Sequence, residues 1–284
     1  MDYHKDRFED YSIMVFKKDE LIALLAANIF ENKLYSHQGL TYGGIILRPN
    51  TSLIEIELIF ELILRFLKKN GFEKLILKTF PGLYAIQRNE ELDCILNKNK
   101  ASIIHQNLIF AIDYNSKYKI YKSKLKRYRK FESGNFQIKV GIAEFEHFWN
   151  LLLEPRLNEK HNTKPVHSLN EIKGLHYAFP KKIVQYNLYQ DEELLAGITI
   201  FKTKTAVKSQ YGIASEKGEK VGALDMLFVH LINMFKGEKF QYFSMGRIND
   251  SAFKNGYNVG MLKQKQEFGC ELHLQPVYEL VLNG

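Results

Sequence analysis

The segment from Ile213 to Asp225, Ile-Ala-Ser-Glu-Lys-Gly-Glu-Lys-Val-Gly-Ala-Leu-Asp, places small residues, glycines and lysines directly before a long apolar stretch. A glycine-bearing loop that opens a helix exposes unpaired backbone N–H groups at the positive end of the helix dipole. That suits an anion such as a pyrophosphate or a nucleic-acid phosphate. Ser215, Lys217, Gly218, Lys220, Gly222 and Ala223 are the residues that would line it. An ordinary strand-to-helix turn with a basic surface fits the same residues, and both readings stay open. Three titratable residues are candidates for proton transfer: Asp225, His167 and Glu267. Asp225 falls in the first turn of the apolar helix, where the dipole alone stabilises a carboxylate. His167 and His161 flank Pro165, and are either acid/base groups or plain loop histidines.

Three further places carry suggestive chemistry. Ser36-His37-Gln38-Gly39-Leu40-Thr41-Tyr42-Gly43-Gly44 pairs two glycines with a tyrosine, which lets a ligand approach the backbone or else marks a bulge. His37 and Tyr42 are its candidate substrate contacts. Lys265 could neutralise a phosphate as a compact charge, or be a solvated surface lysine. Residues 117–130 contain eight basic residues in fourteen, with Tyr118, Tyr121 and Tyr128 among them. Aromatics among cations suit single-stranded nucleic acid. Tyr121, Leu125 and Tyr128 also have the spacing of one helix face against a core, which makes the run a solvated basic helix.

These residues need elements to hold them, and the chain repeats a set of elements. Asp19-Glu-Leu-Ile-Ala-Leu-Leu-Ala26 resembles Asp191-Glu-Glu-Leu-Leu-Ala-Gly197, and Tyr42-Gly43 resembles Tyr211-Gly212. Each copy then has a long apolar helix, about 52–69 and about 221–236, and a strand, 73–78 and 240–245. Ser52 with Glu55 reads as a capping box, and Gly71 and Gly237 as helix-ending glycines. The unit is strand, strand, crossover helix, strand, which builds a mixed sheet flanked by helices. Between the copies a strand at 135–141 and helices at 143–157 and 169–178 are expected. The expected fold is α/β (mixed α+β) with two domains, 1–115 and 116–284.

The bulk composition sets limits. The chain has 284 residues, 45% of them hydrophobic, and a net charge of +8. That excludes disorder, and the charge is compatible with an anionic partner without requiring one. The two cysteines, Cys94 and Cys270, form no Cys-x-x-Cys pair, so neither a disulfide framework nor a thiolate metal site is expected, and no metal is assigned. Residues 53–67 are the most apolar stretch, but Glu55, Glu57, Glu61 and Arg65 interrupt it, so it reads as a buried helix and not a membrane span. Residues 1–10 lack the apolar core of a signal peptide, and a cytoplasmic location is expected.

A family resemblance adds to this. Lys217-Gly-Glu-Lys-Val-Gly222 resembles the Arg/Gln-x-x-Gly-x-Gly/Ala loop of GNAT acetyltransferases, with lysines at the first and fourth positions. Tyr211-Gly212, the loop, the helix, Phe243-Ser-Met-Gly246 and Lys265-Gln-Glu-Phe268-Gly269 are similar to the second domain of the Fem-type aminoacyltransferases, as are Pro165-Val-His167 and Phe179-Pro180. Gln241-Tyr242 stands where that family often has an acid, and no long coiled-coil arm is present. The resemblance implies two tandem GNAT-like domains and an N-acyltransferase. It implies acyl-CoA (acetyl-CoA) or aminoacyl-tRNA as donor, and an amine of a small molecule, sugar or cell-envelope precursor as acceptor. Ser215, Lys217, Gly218, Lys220, Gly222 and Ala223 would then hold the donor. His37, Tyr42, Gln210, Tyr211 and Lys265 would contact substrate. Direct transfer needs no covalent nucleophile. The rival reading is a non-catalytic RNA- or phosphate-binding module on the duplicated scaffold.

Overall fold

The computed structural model describes residues 6–86 and 90–282, apart from the side chains of Lys160 and His161. His161, a sequence candidate beside His167, therefore has a side chain outside the described residues. The chain forms two units. The first comprises Met1–Leu108 and His273–Gly284, and the second Ile109–Leu272. Each is a mixed sheet flanked by helices, the α/β architecture that the repeat implied.

The first unit begins with β1 (Glu9–Asp10), β2 (Ile13–Lys17), β3 (Glu20–Leu25), β4 (Asn28–Phe30), β5 (Lys33–Tyr35) and β6 (Ile45–Leu47). Then come α1 (Leu53–Lys69), β7 (Lys74–Lys78), α2 (Glu90–Lys98) and β8 (Ser102–Asp113), whose last residues belong to the second unit. Helix α1 starts where the sequence says it should. Glu55 N–H donates to Ser52 Oγ at 3.3 Å and Ser52 N–H donates to Glu55 Oε2 at 3.4 Å. Gly71 takes φ +79° just past its end. Ile56, Ile59, Phe60, Ile63 and Leu67 recur every three or four residues and form the buried face. The expectation of a fully buried helix fails on the other side, where Ile54, Leu58, Leu62 and Phe66 are exposed.

The second unit contains α3 (Lys122–Ser133), β9 (Phe136–Val140), α4 (Ile142–Phe148) and α5 (Glu154–His161), the last two joined by a π-helical segment, Trp149–Leu153. It continues with α6 (Leu169–Ala178), β10 (Ile183–Gln190), β11 (Glu193–Lys202), β12 (Ala206–Ala214), α7 (Glu216–Val221), α8 (Ala223–Gly237), β13 (Tyr242–Arg247) and α9 (Val259–Glu267). Strand β14 (Glu271–Val281) carries the chain back into the first unit. Within the second unit the strand order is β8-β13-β12-β11-β10-β9.

The repeated step is real at its centre. β5 and β7 are parallel neighbours joined through α1, and β12 and β13 are parallel neighbours joined through α7 and α8. The flanks differ. The first Asp-Glu hairpin, β2–β3, joins β6 in a separate three-stranded sheet, while its sequence counterpart β10–β11 lies in the main sheet. Tyr42 lies outside any strand, whereas Tyr211 is inside β12. Gly237 stays helical, and Lys239, with φ +64°, makes the left-handed turn expected of it.

Candidate active site in the second unit

β12 and β13 pair in parallel only at Ala206–Lys208 with Tyr242–Ser244. Beyond that point they part. Each strand carries one extra residue against its other neighbour there: Gln210 between Ser209 and Tyr211, and Met245 between Ser244 and Gly246. Paired bulges bend strands apart and re-aim side chains, which opens the sheet at its middle. Ser209 Oγ bonds the Ser244 carbonyl at 3.4 Å across the point of parting.

Cations collect at this opening. The half-buried Lys208 donates from Nζ to Gln210 Oε1 at 2.7 Å. Lys265 is buried and donates to the carbonyls of Gly246 and Arg247, both at 2.9 Å. Burial lowers both lysines to about 8, helped at Lys208 by Arg247 and at Lys265 by Lys208, although the Cys270 thiol opposes the shift at Lys265. At about 8 both remain mostly protonated at neutral pH, a positive charge at the opening that suits an anion. Lys265 was legible in the sequence. Lys208 was not, because a lysine in an alternating strand reads as solvent-facing.

Tyr211, on β12 past the parting, meets His167. Its hydroxyl shares a 2.6 Å hydrogen bond with His167 Nδ1 and accepts the His167 backbone N–H at 3.2 Å. Trp149, fully buried, fixes the loop by donating Nε1–H to the His167 carbonyl at 3.1 Å, and its ring stands edge-on to Tyr211. Thr199, opposite Tyr211 in the register, starts a buried polar chain: Thr199 donates to Gln185, Gln185 to Asn187, and Asn187 to Glu144. The structure thus joins two residues that sequence reasoning named separately.

Asp225 and Glu267 are also brought together, for a different purpose. Lys124 Nζ, buried on α3, lies 3.0 Å from both Asp225 oxygens and 3.1 Å from Glu267 Oε2. Arg127 pairs with Asp225 as well. A buried ammonium must be paired and hydrogen-bonded, and these two carboxylates do that. The basic run is therefore a helix whose exposed face is cationic and whose Lys124 is an internal tie. Leu125 and Tyr128 are half-buried as the helix-face spacing implied, while Tyr121, the residue preceding α3, is exposed.

The expected anion loop is itself helical. Ser215 Oγ accepts the Gly218 N–H at 3.0 Å and caps α7. Gly218 is pressed against the Leu195 carbonyl, where an added Cβ would lie 2.0 Å from its oxygen. Arg156 pairs with Glu219 at 2.8 Å and Glu216 at 3.5 Å, and Lys217 pairs with Glu193. Gly222, with φ +78°, is covered by the Arg127 side chain, 2.5 Å from where its Cβ would be. Lys220 is exposed and Ala223 is buried.

In the first unit, His37 is buried with φ +54°, its Nδ1 accepts the Gly39 N–H at 3.1 Å, and its ring packs edge-on to Phe8. Tyr42 stacks on Tyr84, and burial raises its hydroxyl above the usual value. Among the described residues no cluster of three or more His, Cys, Asp or Glu could hold a metal ion, and no helix is long and apolar enough to cross a membrane.

Residues 115–255 match the family model of the acetyltransferase (GNAT) domain. That segment is similar to a GNAT domain. The GNAT segment holds His167, Gln210, Tyr211 and Asp225, and the parting of β12 from β13 lies inside it. No curated protein is significantly similar in sequence. The whole fold is similar to that of FemX, with a TM-score of 0.72 at 7% identity over 99% of this chain and 90% of that one. It is similar to L-PGS from Bacillus licheniformis, with a TM-score of 0.63 at 14% identity over 95% and 83%. It is also similar to a tandem GNAT protein from the clavulanic acid biosynthesis pathway, with a TM-score of 0.52 at 8% identity over 96% and 83%. The fold is accordingly that of two tandem GNAT-like domains.

Proposed function

We propose that this protein transfers an aminoacyl group from aminoacyl-tRNA to an amine on a cell-envelope or sugar precursor, using the opening between β12 and β13. The observation that carries the reading is the coupling of His167 to Tyr211 beside that opening, with Lys208 and Lys265 at the parting of the strands. The acceptor nitrogen attacks the ester carbon, a C–N bond forms, the C–O bond breaks, and the electron pair leaves on the ribose oxygen. One proton must pass from the amine to that oxygen. The Tyr211 hydroxyl and the His167 imidazole form a pair able to take and return it. The two lysines offset the developing oxyanion and the donor's phosphates.

The donor choice follows from α7. Two carboxylates, Glu216 and Glu219, flank it, the Gly218 N–H is spent on Ser215, and Arg127 lies over Gly222. This is a poor cradle for a coenzyme A pyrophosphate, although acyl-CoA is the usual donor of the family. The acceptor class draws support from the likeness to FemX and to a lysylphosphatidylglycerol synthetase domain, which share the fold.

Incubating the full chain with labelled aminoacyl-tRNA, and separately with labelled acetyl-CoA, against a panel of amine-bearing envelope precursors tests the reading. Transfer from aminoacyl-tRNA that Tyr211→Phe lowers about 100-fold supports it, the lower end of what a general acid/base contributes. Transfer from acetyl-CoA alone replaces the donor. Salt-sensitive RNA binding without transfer to any acceptor leaves a binding module in place of an enzyme.

A further inference from the structure

The two lysines at the opening are not held alike. Lys265 is 2% exposed and its Nζ donates to two backbone carbonyls, those of Gly246 and Arg247. That nitrogen is fixed as a donor inside the fold. Lys208 is half-buried, and among the described residues its Nζ meets one acceptor, the side chain of Gln210. An ammonium has three donors, so two of its N–H positions are open. Once a proton is lost, one N–H can stay on Gln210 while the lone pair faces outward. Burial, with the Arg247 cation beside it, leaves about one Lys208 Nζ in ten neutral at pH 7, against about one in three thousand for an ordinary lysine.

The strand register decides what that amine faces. Residues directly opposite in an antiparallel pair share a face of the sheet. Phe201 stands opposite Lys208, and Thr199 opposite Tyr211. Phe201 and Thr199 are two apart on β11 and so lie on one face. The extra residue Gln210 therefore turns Lys208 and Tyr211, three positions apart, to the same side of the sheet. His167 is on that side too, its ring 6.2 Å from the Phe201 ring. A primary amine and the Tyr211–His167 pair thus share one face at the parting of β12 from β13.

We propose that Lys208 is a self-acylation site: with no acceptor amine present, its Nζ takes the acyl group of an activated ester or thioester held at the opening. This rests on the acyl-transfer reading of the same opening. The Nζ lone pair attacks the acyl carbon and a C–N bond forms. The bond from that carbon to the ribose oxygen or thiol sulfur breaks, and its electron pair leaves on that atom. The Nζ proton passes to the leaving atom through the Tyr211–His167 pair. The product is an uncharged amide, so the opening loses one of its two lysine charges and binds an anionic donor less well. A protein short of acceptor thereby switches itself off.

The full chain, incubated with aminoacyl-tRNA or with acetyl-CoA and no acceptor, should gain the mass of one acyl group. Peptide mapping of the native chain should place that group on Lys208, and Lys208→Arg should not gain it. Preincubation with donor should lower the starting rate of transfer to an added amine in proportion to the fraction acylated. Lys208→Arg should lose none of its own starting rate over the same interval. Limiting acetic anhydride at pH 7 should label Lys208 at least tenfold faster than the exposed Lys220 and Lys263. Equal labelling of the three overturns the proposal, and so do acyl groups from the donor spread over exposed lysines. Transfer to an added amine with Lys208 unmodified in the acceptor-free sample overturns self-acylation and leaves the proposed function standing. Acylation of Lys208 with no transfer to any amine does the reverse, and neither event overturns both.

Discussion

The crossover helices of the two units do the same topological job and are finished differently. Helix α8 is buried almost all round, with Met226, Leu227, Val229, Leu231, Ile232 and Phe235 inaccessible and α3 laid against it through the Lys124–Asp225 tie. Helix α1 buries one face and leaves Leu58, Leu62 and Phe66 bare. The difference teaches that a duplicated unit need not be completed in the same way twice. In the second unit an added helix closes the surface and stabilises the element that leads into the site. In the first the surface stays open.

The comparison breaks most visibly at Lys124. Lys124→Met leaves the Asp225 carboxylate buried beside Arg127 alone, and should cost about 3–5 kcal/mol in urea unfolding. A cost near zero would mean that α3 is not needed to close the second unit. Next come two leucines of the crossover helices, one fully buried and one exposed. Leu231→Ala on α8 should cost about 2–5 kcal/mol, whereas Leu58→Ala should stay within roughly 0.5 kcal/mol. Equal costs would erase the contrast. Ser52→Ala removes the α1 capping box and should cost about 1 kcal/mol, with a similar loss for Ser215→Ala at α7. A further effect is in pH. Lys208 and Lys265 sit near 8 folded, against 10.5 for an ordinary lysine, so the unfolded chain binds more protons between those values. Stability contributed by these groups should therefore rise with pH across about 8 to 10.5. Affinity for an anionic donor should fall above pH 8 as their charge is lost, and Lys208→Arg should flatten that fall.

Much of the architecture could be read before the structure. Ser52, Glu55 and Gly71 bracket α1 because caps are local chemistry, and the 3.6-residue pattern within it is strong. The order of helix and strand around α8 was legible for the same reason. Local signals could not say that β2–β3 would leave the main sheet, since hairpins with one pattern can join either sheet. Nor could they reveal α7, a six-residue helix built from Glu-Lys-Gly-Glu-Lys-Val and held by Ser215 and Arg156. The site was half legible. Tyr211 and His167 were named, but their contact spans 44 positions and depends on Trp149. Lys124 was hidden in a basic run that reads as solvated, because burial of a lysine depends on carboxylates more than a hundred positions away.

The division of the chain has a consequence for the order in which the molecule is made. The second unit is one uninterrupted stretch, Ile109–Leu272, whereas the core of the first includes Tyr278, Leu280 and Leu282 from beyond it. On the ribosome the first hundred residues emerge early and must then wait, their core unfinished, until the strand after residue 272 is synthesised. The later-made unit can fold outright while the earlier one remains incomplete, reversing the usual N-terminal-first sequence of domain folding. During that interval the apolar stripe of α1 and the free edge of β2 are at their most vulnerable to chance encounters, and chaperone binding to the nascent chain should concentrate there.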